Sequence, residues 1–228
     1  MNTLINLPNL ILQNRGLILS TEIQTLNRRL ERKQAISLIH RLSDSFPEPG
    51  EKDHSRKVSI FSIQFYELLG RNPGEIKNAS LLHDLGKVYV DQRLLYKPSS
   101  LTNEEFAVIQ EHPNYARKIL EYCIARYGSH ELLTSAQRIA EFHHERFDGT
   151  GYPNKLGGTE IPEEARIVSI LDVFDALISE RPYRKAIPAE KVYEIMSKGD
   201  GRTKPEHFDP NFLKIFLKNY LKFTELLN

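Results

Sequence analysis

The sequence predicts an all-α bundle. Apolar residues recur at helical spacing along most of the 228-residue chain. No segment alternates apolar and polar residues for long enough to ask for a strand. Capping residues and prolines stand where helices would open, as in Thr102-Asn103-Glu104-Glu105, His112-Pro113 and Asp209-Pro210.

Met1–Ser20 carries no readable period. Thr21–Leu42 places Ile23, Leu26 and Leu30, then Ile36, Ile39 and Leu42, at helical spacing, with breaks at Lys33 and Ser37 that argue against a long coiled coil. Such a helix either docks on the main domain or pairs with a second copy in a homodimer. The Phe46-Pro47-Glu48-Pro49-Gly50 cluster is the best boundary. It divides a short N-terminal helical extension, residues 1–46, from a main domain, residues 47–228. His54–Leu69 and Ile76–Leu85 read as helices, the first ended by Gly70 and the second near Gly86. A short helix opens at the Thr102 capping box and ends at His112-Pro113, because a residue before proline leaves the helical region. Pro113 then opens a helix to about Tyr127, and Glu131–His144 is another. Asp148–Ile161 is Gly-rich and reads as a loop, with room for a small hairpin at Asn154–Gly158. Arg166–Ser179, Pro188–Lys198 and Pro210–Leu227 complete the bundle.

Composition narrows the function classes. The 31 Lys+Arg balance 30 Asp+Glu, a net charge of +1, so no broad basic face for a nucleic-acid polymer is expected. Cys123 is the only cysteine, which rules out an intramolecular disulfide and fits a reducing cytoplasm. No uninterrupted apolar run reaches the ~18 residues of a membrane span, and the N-terminus lacks the basic start and small-residue cleavage site of a signal peptide.

Seven residues stand out for their chemistry. In Leu81-Leu82-His83-Asp84-Leu85-Gly86-Lys87 a carboxylate and an imidazole interrupt an apolar stretch, and burying them is costly unless they are paired or ligating. Adjacent side chains on a helix diverge by about 100°, so the two share an ion only at the edge between them. An Asp at the surface near a helix end is the ordinary alternative, which the flanking leucines weaken. His143-His144 at a helix C-terminus can equally complement the helix dipole. Asp172, in Ile170-Leu171-Asp172-Val173-Phe174, is another carboxylate in an apolar run. With His54 and His112 these make five histidines and two aspartates on five segments. Mixed imidazole and carboxylate ligands suit Fe, Mn or Zn rather than Mg or Ca. Seven are too many for one ion and about right for two that share a bridging carboxylate.

These residues sit in a longer pattern. His83-Asp84 is followed by Gly86-Lys87, Lys97-Pro98, Leu101-Thr102, His112-Pro113, His143-His144-Glu145-Arg146, Asp148-Gly149-Thr150-Gly151-Tyr152-Pro153, Ile161-Pro162, Ala165-Arg166-Ile167, Asp172-Val173-Phe174-Asp175-Ala176-Leu177 and Arg181-Pro182-Tyr183-Arg184. From about His54 onward the chain resembles the HD-GYP family, a branch of the HD metal-dependent phosphohydrolases that hydrolyses cyclic di-GMP. The spacings agree too, with 28 residues from Asp84 to His112 and 28 from His144 to Asp172.

The resemblance implies an HD-domain helical bundle with a Gly-rich Gly-Tyr-Pro loop. It implies that His54, His83, Asp84 and Asp172 hold one divalent transition-metal ion, Fe or Mn, and that Asp84, His112, His143 and His144 hold a second, with Asp84 bridging. The implied nucleophile is a hydroxide between the ions, and the implied reaction cuts cyclic di-GMP to pGpG and onward to GMP. Lys87, four residues after His83, is expected to reach the phosphate from the same helix face, with Asp175 orienting it. Gly151, Tyr152 and Pro153 are expected to pack a guanine or bond a phosphate, and Arg181 and Arg184 to clamp the remote phosphate or a guanine edge. Some family members hold a third metal through a Glu four residues before the first histidine. Here that position is Gly50, which favours two ions. The rival readings are another cyclic dinucleotide such as cyclic GMP-AMP, or a non-catalytic sensor or interaction module. Control is expected from a regulatory or cyclase protein partner, from oligomer state, or from metal and redox status.

Overall fold

The computed structural model describes residues 30–46, 49–180 and 185–227, except the side chains of Pro49, Glu51 and Lys52. Every regular element among the described residues is helical, which bears out the all-α expectation. In chain order these are α1 (Arg32–Ser43), α2 (Pro49–Leu68), α3 (Ile76–Ala79), α4 (Gln92–Leu95), α5 (Asn103–Ile109), α6 (His112–Tyr127), α7 (Glu131–Phe142), α8 (Glu163–Ile178), α9 (Ala189–Lys198), α10 (Pro210–Lys218) and α11 (Tyr220–Glu225). No helix among the described residues is long and apolar enough to cross a membrane.

Helices α2, α3, α6, α7 and α8 pack around one core. Phe61, Phe65, Phe174, Phe216 and Phe223 are its largest fully buried side chains, and each contributes roughly 1.5–3 kcal/mol by leaving water. Phe174 meets Phe61 edge-on at 5.1 Å and Phe216 at 5.2 Å, which ties α8 to α2 and α10. From α1, Ala35, Leu38, Ile39 and Leu42 enter the same core. The described part of the first expected helix therefore docks on the bundle. Residues 21–29 of that expectation lie outside the described residues.

Several boundaries differ from the sequence expectation. The second helix opens at Pro49 rather than His54, so Gly50 lies in its first turn. The expected helix Ile76–Leu85 is α only to Ala79 and continues as 3₁₀ turns at Ser80–Leu82 and Leu85–Tyr89, with Asp84 between them at φ −98°, ψ 12°. Gly86 explains the tightening. It lies so close to α6 that a Cβ there would overlap the His112 carbonyl oxygen and stand 2.7 Å from the Ala116 nitrogen. The last helix divides at Asn219, whose side-chain amide donates to the Ile215 carbonyl at 2.9 Å. No hairpin forms at Asn154–Gly158. The amides of Asn154 and Leu156 turn instead to the Glu145 carboxylate, at 2.6 and 3.0 Å.

Candidate metal centre

The broken helix is what points His83 and Asp84 the same way. α2 supplies His54, the first turn of α6 supplies His112, the residues just after α7 supply His143 and His144, and α8 supplies Asp172. His54, His83, Asp84, His112, His143 and Asp172 are buried, and His144 is half-buried.

Asp84 sits at the centre with one oxygen toward each half. Its Oδ1 is 3.3 Å from His112 Nε2 and 3.7 Å from His143 Nε2. Its Oδ2 is 3.2 Å from His83 Nε2 and 3.7 Å from His54 Nε2. Ligand atoms of Asp84, His112, His143 and His144 lie within 4.8 Å of one another, and so do those of His54, His83 and Asp84. Asp172 stands outside that second, tighter group, with Oδ1 2.9 Å from His54 Nε2 and 3.8 Å from His83 Nε2.

The outer hydrogen bonds fix which nitrogen faces inward. Nδ1 of His83 donates to the Ser80 carbonyl at 2.9 Å, and Nδ1 of His112 to the Ile109 carbonyl at 2.8 Å. His143 Nδ1 donates to the Ile139 and Ala140 carbonyls, and His54 Nδ1 to Asp175 Oδ2 at 2.6 Å. The His83, His112 and His143 rings are thereby held in the tautomer that leaves Nε2 as a lone-pair donor toward the cluster. Asp84 Oδ1, His112 Nε2 and His143 Nε2 are buried with no hydrogen-bond partner among the described residues. Orphaned buried acceptors of this kind are costly in a finished core, and a cation between them would satisfy all three. The donor set therefore fits a divalent transition metal.

Electrostatics hold Asp84 and His144 in their ligating forms and leave His54 a proton that a metal would displace. Burial disfavours an ionised Asp84, yet Lys87 and His83 hold its carboxyl well below the usual range. Burial, together with His143 and His112, keeps His144 neutral, the form that ligates. Burial also opposes a charge on His54, but its bonds to Asp172 and Asp175 outweigh this and raise its pKa to about 9.

Two expected roles change partners. Lys87 does not share an α-helical face with His83, because the backbone there is 3₁₀, and its Nζ donates to Asp84 Oδ2 at 2.7 Å. Asp175 accepts from His54 rather than orienting Lys87. Asp172 and Asp175, three apart on α8, thus hold both nitrogens of one imidazole. Arg181 and Arg184 lie outside the described residues.

A family model described as an HD domain matches residues 63–212, about two thirds of the chain. This chain belongs to the HD-domain family. Among the relatives this HD domain matches, a 3'3'-cGAMP-specific phosphodiesterase 2 of Vibrio cholerae is 37% identical over 176 residues, 76% of this chain and 32% of that protein. A cyclic di-GMP phosphodiesterase of Vibrio cholerae is 41% identical, over 64% of this chain and 29% of its own. A cyclic di-GMP phosphodiesterase of Thermotoga maritima is 33% identical, over 85% and 50%. The chain thus spans half or less of the length of these relatives. A solved HDG"Y"P protein from Bdellovibrio bacteriovorus shares the fold, with a TM-score of 0.57 at 21% identity over 83% of this chain and 62% of that one.

The Gly-Tyr-Pro loop packs directly against the paired histidines. Gly151 runs against the backbone of the paired histidines, where a Cβ would stand 2.6 Å from the His144 carbonyl oxygen. The Tyr152 amide donates to that same carbonyl at 3.2 Å, and its ring stacks on the His144 ring at 4.8 Å and 27°. Pro153 follows through a cis peptide bond. Glu145, which sequence reasoning did not single out, is 2% exposed and gathers the far side of the loop through Asn154 and Leu156. Its sequence signals are its place in the His143-His144-Glu145-Arg146 segment and its position just ahead of a Gly-rich loop whose amides need acceptors. At Gly50, one turn before His54, the HD domain offers no ligand atom.

The His54–Asp175 bond leads to a first prediction. Asp175→Ala should weaken metal binding roughly 10–100-fold, as loss of a ligand's outer partner does elsewhere. Chelator competition measures this, and unchanged affinity would refute the positioning role.

Proposed function

We propose that this chain is a metal-dependent phosphodiesterase that hydrolyses cyclic di-GMP to linear pGpG and on to GMP. The observation that carries the reading is Asp84, one buried carboxylate whose two oxygens serve two groups of inward-facing imidazoles. Two Fe or Mn ions are the proposed cofactors, one held by His54, His83, Asp84 and Asp172 and one by Asp84, His112, His143 and His144. Such a pair supplies a hydrolytic nucleophile at neutral pH and offsets charge on the phosphoryl group.

The chain's own residues do the rest. Asp84 is the shared anchor. Lys87, which is 17% exposed in its side chain, stands at the rim of the cluster, where its charge meets a phosphoryl oxygen. Tyr152 and its neighbours Gly151 and Pro153 line the approach to His144. Arg181 and Arg184 are proposed to hold the remote phosphate or base. The catalytic unit is residues 47–228, preceded by the 1–46 extension, and acts in the cytoplasm under a regulatory or cyclase partner, alone or as a homodimer. A second substrate, 3'3'-cyclic GMP-AMP, is favoured by the Vibrio cholerae relative named for it.

The test is chromatography of anaerobic incubations with protein loaded with Fe(II) or Mn(II), running both cyclic dinucleotides in parallel. The expected product is linear dinucleotide. Metal-loaded protein that binds either compound but never opens it overturns the enzyme reading in favour of a sensor.

A further inference from the structure

We propose that Phe106 is the platform on which a base of the cyclic dinucleotide stacks. The inference rests on the phosphodiesterase reading above and deepens it by naming a residue that holds the nucleobase.

Helix α5 contains no buried residue, yet it carries two large apolar side chains into solvent, Phe106 at 46% exposure and Val108 at 45%. Exposed apolar side chains on a seven-residue helix do not explain its position, because they contribute little to folding. The helix is instead held by polar bonds at its start. Lys97 Nζ donates to both Glu105 carboxylate oxygens, at 2.8 and 2.6 Å, and the Thr102 amide donates to Glu105 Oε2 at 2.8 Å. The Glu105 amide donates to Thr102 Oγ1 at 3.2 Å, closing the capping box. The residue next to this anchor is Phe106.

Phe106 points along a line of rings that leads out of the metal cluster. His112 meets His144 at 4.9 Å, His144 stacks on Tyr152 at 4.8 Å, and Tyr152 meets Phe106 at 6.4 Å and 80°. Tyr152 already gives part of its surface to His144 and is half-buried, whereas Phe106 is open to solvent. The nearly perpendicular pair forms a corner beside the phosphate-cutting centre. A cyclic dinucleotide presents planar bases a short distance from its phosphates, and stacking of a base on an aromatic ring needs no particular hydrogen-bond pattern.

Stacking is similar in the ground and transition states, so its loss falls on binding rather than on turnover. Phe106→Ala should raise the Kd and KM for cyclic di-GMP together by roughly 5- to 150-fold, the range seen when a base-stacking aromatic is removed. Its kcat and metal content should stay near wild type. Bis(p-nitrophenyl) phosphate, which carries no nucleobase, should be cleaved by the variant as by wild type. Phe106→Trp should restore dinucleotide binding.

Equal losses on both substrates, or unchanged Kd and KM for the dinucleotide, would overturn the role. The equilibrium arm keeps this separate from the enzyme reading. Wild-type protein that binds cyclic di-GMP through Phe106 but yields no linear product sinks the phosphodiesterase and keeps the platform. Wild-type protein that cuts cyclic di-GMP while Phe106→Ala binds it normally sinks the platform and keeps the phosphodiesterase. Wild-type protein that binds no cyclic dinucleotide sinks both.

Discussion

Asp84→Ala should remove metal from both halves of the cluster and abolish turnover. Among the described residues Asp84 is the one carboxylate shared by both groups. His112 and His143 face its Oδ1, while His83 and His54 face its Oδ2. Taking it away leaves neutral imidazoles on one side and imidazoles with Asp172 on the other, so neither remaining set keeps its full charge or ligand count. The loss of turnover should exceed the roughly 10²–10³-fold that follows removal of one transition-state donor. The fold should survive, because the core phenylalanines lie elsewhere on α2, α8, α10 and α11. Elemental analysis and circular dichroism on the same preparation read both quantities. An Asp84→Ala protein with wild-type metal content would show that the bridge is misassigned.

Lys87→Ala should lower turnover roughly 10²–10³-fold, the usual effect of losing a charged donor to a developing phosphoryl charge, while metal content holds. Two roles are open to this ammonium, and the variant separates them. Its bond to Asp84 Oδ2 at 2.7 Å helps keep that carboxylate ionised. Asp84 still has four imidazoles within 3.7 Å, so its hold on metal does not depend on Lys87 alone. Turnover that falls only in proportion to metal lost would assign Lys87 to Asp84 and take it away from the substrate.

Three of the ligands were legible because they interrupt an apolar stretch. His83 and Asp84 among leucines, and Asp172 between Leu171 and Val173, have no cheap buried state except as a cluster. The helices α1, α6, α7 and α8 were legible for the complementary reason, since their periodic faces are the ones that entered the core. The break after Ala79 was not. Leu81, Leu82 and Leu85 are buried but carry no mark of the 3₁₀ path, whereas the approach of Gly86 to α6 is a contact between distant segments. The placement of Lys87 beside Asp84 goes with that 3₁₀ path. The outer hydrogen bonds were hidden for another reason. His83, His112 and His143 donate to backbone carbonyls three or four residues back, and a carbonyl carries no sequence signature. Glu145 escaped because a buried loop anchor and a surface acid look the same in a sequence.

Asp84 is proposed to join two metal sites into one working centre. Metal-free protein titrated anaerobically with Mn(II), with bound ion and cyclic di-GMP cleavage measured on each sample, tests it most directly. Cleavage should stay near zero while occupancy is below one ion per chain and rise as it approaches two. Full activity at one ion per chain, or linear product from metal-free protein, would contradict the shared-carboxylate account.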